Sequence, residues 1–232
     1  MTERVLITGG GAGIGAAVAE RCREEGYQPI TVDLRGGDIT ADLSDEGQTR
    51  AALKEALADG PIHRLVNNVG AIDVAAVEDV TLEQLDRAVR INLQSGILAT
   101  QALVPGMKER GFGRIVNIAS RVVLGKEGRT TYSATKAGIV GATRTWALEL
   151  GRHGITVNAI GPGPIRTKLF DDANPPGAPA TERIINNIPV QRVGEPEDIA
   201  HTVAYFLDAR GGFTTGQMIY VCGGRTVGNS AI

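Results

Sequence analysis

Short apolar runs alternate with segments of helical composition from the first residues of this chain, and that alternation restricts the folds open to it. Val5-Leu6-Ile7, Ile30-Thr31-Val32, Leu65-Val66, Ile115-Val116-Asn117-Ile118, Ile155-Thr156-Val157 and Met218-Ile219-Tyr220-Val221 read as strands. Helical patterns run between them over about 14–25, 46–58, 82–108, 132–152 and 196–208. Strands separated by helices of this length pair in parallel through right-handed crossovers, with helices on both faces of the sheet. The expected fold class is therefore α/β, a single doubly wound parallel sheet forming one domain over 1–232. One stretch interrupts the rhythm: 168–190 carries Asp171, Asp172, Asn174, Pro175, Pro176, Gly177 and Pro179. An insertion so rich in breakers is read as a substrate lid, with a short helix about Thr181–Asn187.

The first strand runs into Thr8-Gly9-Gly10-Gly11-Ala12-Gly13-Ile14-Gly15, and a helix follows. Glycines let backbone approach a pyrophosphate, and a helix N-terminus offers free N–H groups and partial positive charge. The turn stands where the Rossmann dinucleotide fingerprint requires it, although its spacing is G-x-x-x-G-x-G and not the commoner G-x-G-x-x-G. Asp33 ends the second strand, where a carboxylate can accept from ribose hydroxyls and repel a 2′-phosphate. NAD is expected over NADP. Arg35, two residues on, is the residue that could oppose that preference.

Composition narrows the rest. Formal net charge is −2 and acids and bases are interspersed, which points away from a nucleic-acid or anionic-membrane partner. No apolar run reaches the ~18 residues of a membrane helix, and the expectation is a cytoplasmic protein. Cys22 and Cys222 lie far apart and outside any Cys/His cluster, so neither a metal site nor a disulfide scaffold is expected.

Tyr132 and Lys136, four apart in a helical segment, share one face. Such a pair recurs by chance in about one chain of this kind in ten, so its weight rests on chemistry. A tyrosine acid/base must titrate near working pH, roughly 3 units below its free value of ~10. One ammonium at ~4 Å in an effective dielectric near 20 supplies about the 4 kcal/mol this needs.

With the glycine turn, Asp33, Asp42-Leu43, Asn67-Asn68-Val69-Gly70, Asn92, Ser120, Tyr132-x-x-x-Lys136, Pro162-Gly163-Pro164-Ile165-Arg166-Thr167, Gly216-Gln217 and Gly223-Gly224 in order, the chain resembles the short-chain dehydrogenase/reductase family over its whole length. Its flavour is closest to 3-oxoacyl-carrier-protein reductases and cyclic-alcohol dehydrogenases. The resemblance implies hydride transfer between a nicotinamide cofactor and a secondary alcohol or ketone. Tyr132 would exchange the proton, Ser120 hold the substrate oxygen, Lys136 bind the nicotinamide ribose, and Asn92 hold a water in a proton relay. Gly9, Gly11, Gly13, Ile14 and Gly15 would cradle the pyrophosphate, Asp42 and Leu43 frame the adenine, and Asn68 and Gly70 line the cofactor floor. Pro162, Ile165 and Thr167 would meet the carboxamide and pyrophosphate side. A homo-oligomer, dimer or tetramer, is implied, with Ala134, Ala137, Gly138, Gly141 and Ala142 letting their helix pack closely on a neighbour.

Departures from the family pattern are local. Val69 stands where alanine is usual, and Cys222 where aspartate is frequent. Ser120 lies 12 residues before Tyr132 where 13 is common, so the missing residue is assigned to the loop 121–131. Arg35-Gly36-Gly37-Asp38 leads almost directly to Asp42, leaving no room for a crossover helix. Trp146 reads as packing, and Arg121, Lys126 and Arg129 as solvated loop charges, with a substrate-carboxylate role for Arg121 as the alternative. The same residues would serve a cis-diol or steroid-type ring alcohol. A non-catalytic dinucleotide-sensing regulator is a further reading, against which the presence of Asn92, Ser120, Tyr132 and Lys136 together argues.

Overall fold

A computed structural model describes residues 2–227. The elements in chain order are β1 (Arg4–Thr8), α1 (Gly13–Glu24), β2 (Gln28–Asp33), β3 (Ile39–Thr40), α2 (Glu46–Ala56), β4 (Arg64–Asn67), α3 (Leu82–Val89), α4 (Ser95–Arg110), β5 (Gly113–Ile118), α5 (Thr130–Leu150), β6 (Ile155–Pro162), α6 (Lys168–Ala173), α7 (Pro179–Asn186), α8 (Pro196–Leu207) and β7 (Met218–Val221). The seven strands form one sheet in the order β3-β2-β1-β4-β5-β6-β7, and every pairing is parallel. The doubly wound parallel sheet expected from the alternation is the fold observed.

Strand alternation sorts the core into two layers. Leu6, Leu65, Ile115 and Val157 face α2, α4 and the end of α5, through Leu53, Leu103, Met107 and Leu150. Their neighbours Val5, Ile7, Val66, Val116 and Ile160 face α1 and α8, through Val18, Ile199, Val203 and Phe206. Successive side chains point to opposite faces, so a strand covered on both sides reads as a continuous apolar run. Trp146 packs between the first layer and a smaller cluster around Ile139, as expected. Among the described residues no helix is long and apolar enough to cross a membrane.

Three features differ from the sequence expectation. The helix expected over 82–108 is broken at Arg90–Gln94 by one π-helical turn between α3 and α4. The stretch 168–190 carries two short helices, α6 and α7, where one was expected. The crossover after Asp33 is tight, as foreseen, yet it ends in an added strand: only 34–38 separate β2 from β3, which pair Val32 with Ile39 and Asp33 with Thr40. Asp38 holds this turn closed. Its carboxylate accepts from the Thr31 backbone N–H at 2.9 Å and the Thr31 hydroxyl at 2.8 Å, while its own N–H donates to Thr31 Oγ1 at 2.9 Å.

At the edge of the sheet away from the carboxyl ends, Arg64 and Arg114 are buried and stack on the Phe112 ring, at 4.8 and 4.3 Å from its centroid. They donate to the carbonyls of Leu207 at the end of α8 and of Asp208 and Ala209 just past it, tying that helix to β4 and β5. The Asp38→Ala variant removes the clasp of the tight crossover; it is expected to cost about 1–3 kcal/mol, read as a lower urea midpoint with unchanged m.

Candidate active site

The turn after β1 requires glycine for steric reasons. A side chain at Gly15 would collide with the Gly9 carbonyl, and one at Gly11 with the Arg35 carbonyl. Gly9 and Gly13 hold φ of +66° and +52°, a region costly for other residues. Ala12 precedes α1 and gives no side-chain cap, and the first turn of α1 carries no acid. The N–H groups of that turn are left for an anion. Thr167 borders the turn opposite, with its methyl 3.3 Å from where a Gly13 Cβ would stand, and its hydroxyl caps α6 by accepting from Phe170 N–H. Ile14 packs into the α1/α8 layer.

Asn68 braces this turn: its amide donates to the carbonyls of Thr8 and Gly9 at 3.2 and 2.8 Å. Asp33 accepts from Gly11 N–H at 2.9 Å and from Arg35 N–H at 3.4 Å, so its carboxylate stands beside the glycine turn at the end of β2. Asp42 accepts from the backbone and hydroxyl of Ser44, which hold its pKa below the usual carboxylate value. Leu43 is a core residue, 5% exposed. Uncapped N–H groups at a glycine turn with a carboxylate one strand away form a donor and acceptor set that fits a dinucleotide's pyrophosphate and ribose.

The second half of the cleft lies at the ends of β5 and β6. Ser120 follows β5 and caps a short 3₁₀ turn, accepting from Val122 N–H at 3.3 Å. Tyr132 stands in the first turn of α5 with its phenol beside Ser120, whose hydroxyl favours the phenolate. Ala119, the residue before Ser120, is buried in the core cluster with Ile139 and Val140. Lys136, one turn on from Tyr132, is 3% exposed and donates to the Ile118 carbonyl at 2.7 Å. Gly70 closes the lysine's other side, where a Cβ would come within 3.2 Å of Nζ. Pro162 ends β6, and Ile165, 6% exposed, makes a bridge to Gly194.

The electrostatics differ from the expected arrangement. Lys136 Nζ lies 5.8 Å from the Tyr132 ring centroid, and its charge is not among the influences that lower the phenol. Burial pushes Tyr132 upward, opposed by Ser120 and then by the charge of Arg129. Burial lowers Lys136 to about 8. The site therefore pairs a phenol with an amine that gives up its proton readily. Asn92 sits in the π-helical turn, and its side chain ties that turn to its neighbours: Oδ1 accepts from Ala71 N–H at 2.7 Å, and Nδ2 donates to Ala71 O and Thr135 Oγ1. Both amide protons are used, while Oδ1 keeps a second lone pair.

Ala71 and Thr135 were not foreseen. A pairing of a π-turn asparagine with a loop 21 residues earlier leaves no local pattern in sequence. Cys222 acquires a structural account: Gly163 packs on it so closely that a Cβ would come within 2.7 Å of its Cα. Cys22 and Cys222 are both buried and free. A cavity of about 240 Å³ beside Cys222 is lined by Ile165, Ile188, Val190 and Val221, with none of Ser120, Tyr132 or Lys136 in its wall.

A family profile described as enoyl-(acyl carrier protein) reductase matches residues 9–226. The chain is 38% identical to the hydroxy(phenyl)methylsuccinyl-CoA dehydrogenase subunit BbsD of Thauera aromatica, covering 96% of each chain. It is likewise 38% identical to an acetoacetyl-CoA reductase of Rhizobium meliloti, over 97% of this chain and 99% of that one. Among solved structures, a blue fluorescent protein from a metagenomic library, in complex with NADPH, superposes with a TM-score of 0.87 at 31% identity, covering 97% and 98% of the two chains.

The buried amine makes a pH-dependent contribution to stability. Lys136 titrates at about 8 in the fold against 10.5 when free, so between these values the unfolded chain binds more protons and stability rises with pH. Lys136→Met lacks this titration. The stability of the parent protein relative to that variant should rise by about 3 kcal/mol across the window, measured by urea unfolding at several pH values.

Proposed function

The chain belongs to the short-chain dehydrogenase/reductase family and is an NAD(P)-dependent oxidoreductase of secondary alcohols and ketones, and on that premise we propose that Tyr132 is its acid/base. The observation that carries this reading is the meeting of the Tyr132 phenol, the Ser120 hydroxyl and the Lys136 amine in the cleft that also receives the uncapped start of α1. The nicotinamide cofactor, when bound, supplies or takes up the hydride. In the reducing direction Tyr132 gives its proton to the substrate oxygen as the carbonyl becomes an alcohol, and the reverse exchange serves oxidation. Ser120 donates to the same oxygen and holds it near the phenol. Lys136 binds the ribose next to the ring and returns a proton to Tyr132. Asn92, fixed in place by its bonds to Ala71 and Thr135, orders the water chain behind the lysine. Burial keeps Tyr132 protonated at rest, the form that ketone reduction requires.

Gly9, Gly11, Gly13, Ile14, Gly15 and Thr167 hold the pyrophosphate, and Asn68, Gly70, Pro162 and Ile165 the nicotinamide half. Asp42 and Leu43 bound the adenine. NAD is preferred over NADP because the Asp33 carboxylate beside Gly11 would meet a 2′-phosphate with like charge. A similar blue fluorescent protein is in complex with NADPH, and the Asp33 variant below measures the preference of this chain. The segment with α6 and α7 acts as the lid over the substrate. The chain works as a homo-oligomer: Ala134, Ala137 and Gly141 lie exposed along α5, while Gly138 and Ala142 face inward toward Leu93 and the core.

Tyr132→Phe should abolish turnover of a ketone panel while NADH binding, followed by its fluorescence, stays within a few-fold of the parent; near-normal kcat would sink the assignment. Asp33→Ala should narrow the ratio of NADPH to NADH dissociation constants by about tenfold or more, the equivalent of ~1.4 kcal/mol. An unchanged ratio would pass the credit to another residue.

A further inference from the structure

The loop that joins Ser120 to Tyr132 carries Arg121, Lys126 and Arg129, and the turn after β7 carries Arg225. These cations converge. Arg121 lies within the field of Arg225, and Lys126 within the fields of Arg129 and Arg121. Arg129 reaches the field of the Tyr132 phenol. Arg121 opens the short turn that Ser120 caps, and Arg129 directly precedes α5 and its Tyr132, so these cations stand beside the reacting pair.

The other arginines withdrawn from solvent are placed differently. Among the described residues, the arginines that are buried or half-buried are Arg4, Arg21, Arg64, Arg114, Arg121, Arg129 and Arg225. Arg4 donates to the carbonyls of Ala56 and Gly60. Arg21 pairs with Glu24 and Glu25, and Arg64 with Glu3 and the Leu207 carbonyl. Arg114 is surrounded by carbonyls from Gly113, Gly154, Asp208 and Ala209. Arg121 and Arg225 have neither an ion pair nor a side-chain hydrogen bond among the described residues, and Arg129 has only the carbonyl of its neighbour Gly128. A half-buried guanidinium without a carboxylate, set against others of its own sign, is an unfavourable arrangement that an anion would relieve.

The scaffold under these side chains is fixed. Ala75 N–H donates to the Gly128 carbonyl and Ala75 bridges Arg129, pinning the loop to the segment after β4. Ser133 donates to the Val122 carbonyl, holding the 3₁₀ turn that follows Ser120. Arg225 N–H bonds the Cys222 carbonyl, and Gly223 and Gly224 pack on Ile188, Val190 and Pro189. Cations held on pinned backbone lose less on binding than cations on a free loop.

We propose that Arg121, Arg129 and Arg225, with Lys126 at the outer edge, bind an anionic group of the substrate, a carboxylate or phosphate carried on the same molecule as the reacting carbonyl. This rests on the oxidoreductase reading above and deepens it: the substrate is an anionic ketone or hydroxy compound, with Ser120 and Tyr132 on the oxygen and the arginines on the charge.

Acetoacetate, methyl acetoacetate and acetoacetyl-CoA share one reacting ketone and differ in charge, so their kcat/KM values with NADH and NADPH provide the test. At low salt the parent enzyme should favour at least one anionic probe over the neutral ester by about tenfold, ~1.4 kcal/mol, with salt eroding the preference. Preference for acetoacetate identifies a carboxylate, and preference for acetoacetyl-CoA alone identifies the phosphates. The double variant Arg121→Gln/Arg225→Gln should lose that preference through KM, with the ester changed by no more than about twofold. A second readout does not need turnover: malonate and inorganic phosphate should raise the Tm of the parent more than that of the double variant, since the turn at α1 is common to both. Equal Tm responses, or an anion preference untouched by the double variant, would overturn the anion site. Failure to turn over any probe, with the differential Tm response intact, would instead count against the acyl-ketone reading and leave the anion site standing.

Discussion

The contact between residues 9 and 15 governs how the rest of this molecule is arranged. The Gly9 carbonyl occupies the space a side chain at residue 15 would need, and the Asn68 amide holds that carbonyl from the neighbouring strand. Three pieces of chain are locked together there: the end of β1, the start of α1 and the segment after β4. With α1 set at that angle, its first-turn N–H groups open toward Asp33 on one side and Thr167 on the other. Burial on both faces of the sheet then settles which ends of β4, β5 and β6 can reach the same cleft. Chemistry gathers at the carboxyl edge because every parallel strand delivers its following loop to that edge.

Much of this was legible because the requirement is local. A glycine turn between strand and helix, a carboxylate at the next strand end and a tyrosine four residues before a lysine each place their atoms by spacing within one element. The packing of Trp146 and the cramped crossover after Asp33 were legible for the same reason, since the lengths of adjoining segments decided them. What escaped was set by distant partners. Nothing near Arg64 or Arg114 in sequence announces that Phe112 and the carbonyls after α8 will take them up. Asn92 could be picked out as a residue type, whereas its bonds to Ala71 and Thr135 depend on how three segments meet. The strand at Ile39–Thr40 is too short to carry a pattern at all.

The site also shows how position changes the meaning of one residue type. Arg64 and Arg114 hold the opposite edge of the sheet together because each guanidinium is surrounded by carbonyls and an aromatic face. Arg121, at the carboxyl edge, lies in the field of Arg225 and has no carbonyl cradle of this kind among the described residues. The first pair is spent on the fold; the second retains its donors. Tyr132 belongs to the same contrast. Its apolar surroundings raise it, and the influences that pull it back, Ser120 and Arg129, come from the loop leading into α5. Tuning of the phenol and reception of charge thus share one short segment.

The π-helical turn at Arg90–Gln94 holds one residue more than an α-helical path would need, and this extra residue works as a phase shifter. Each residue advances an α-helix by about 100°, so an α-helical path through this point would turn α3 relative to α4 by roughly that angle. α3 packs on α5, whereas α4 packs on α2 and on β4 and β5, and without the extra residue one of those faces would turn away. The turn therefore lets one nearly continuous rod satisfy neighbours set out of phase. Mutational drift that deletes a single residue here would disturb both at once, whereas insertions in the nearby loop 76–81 would leave the phase untouched.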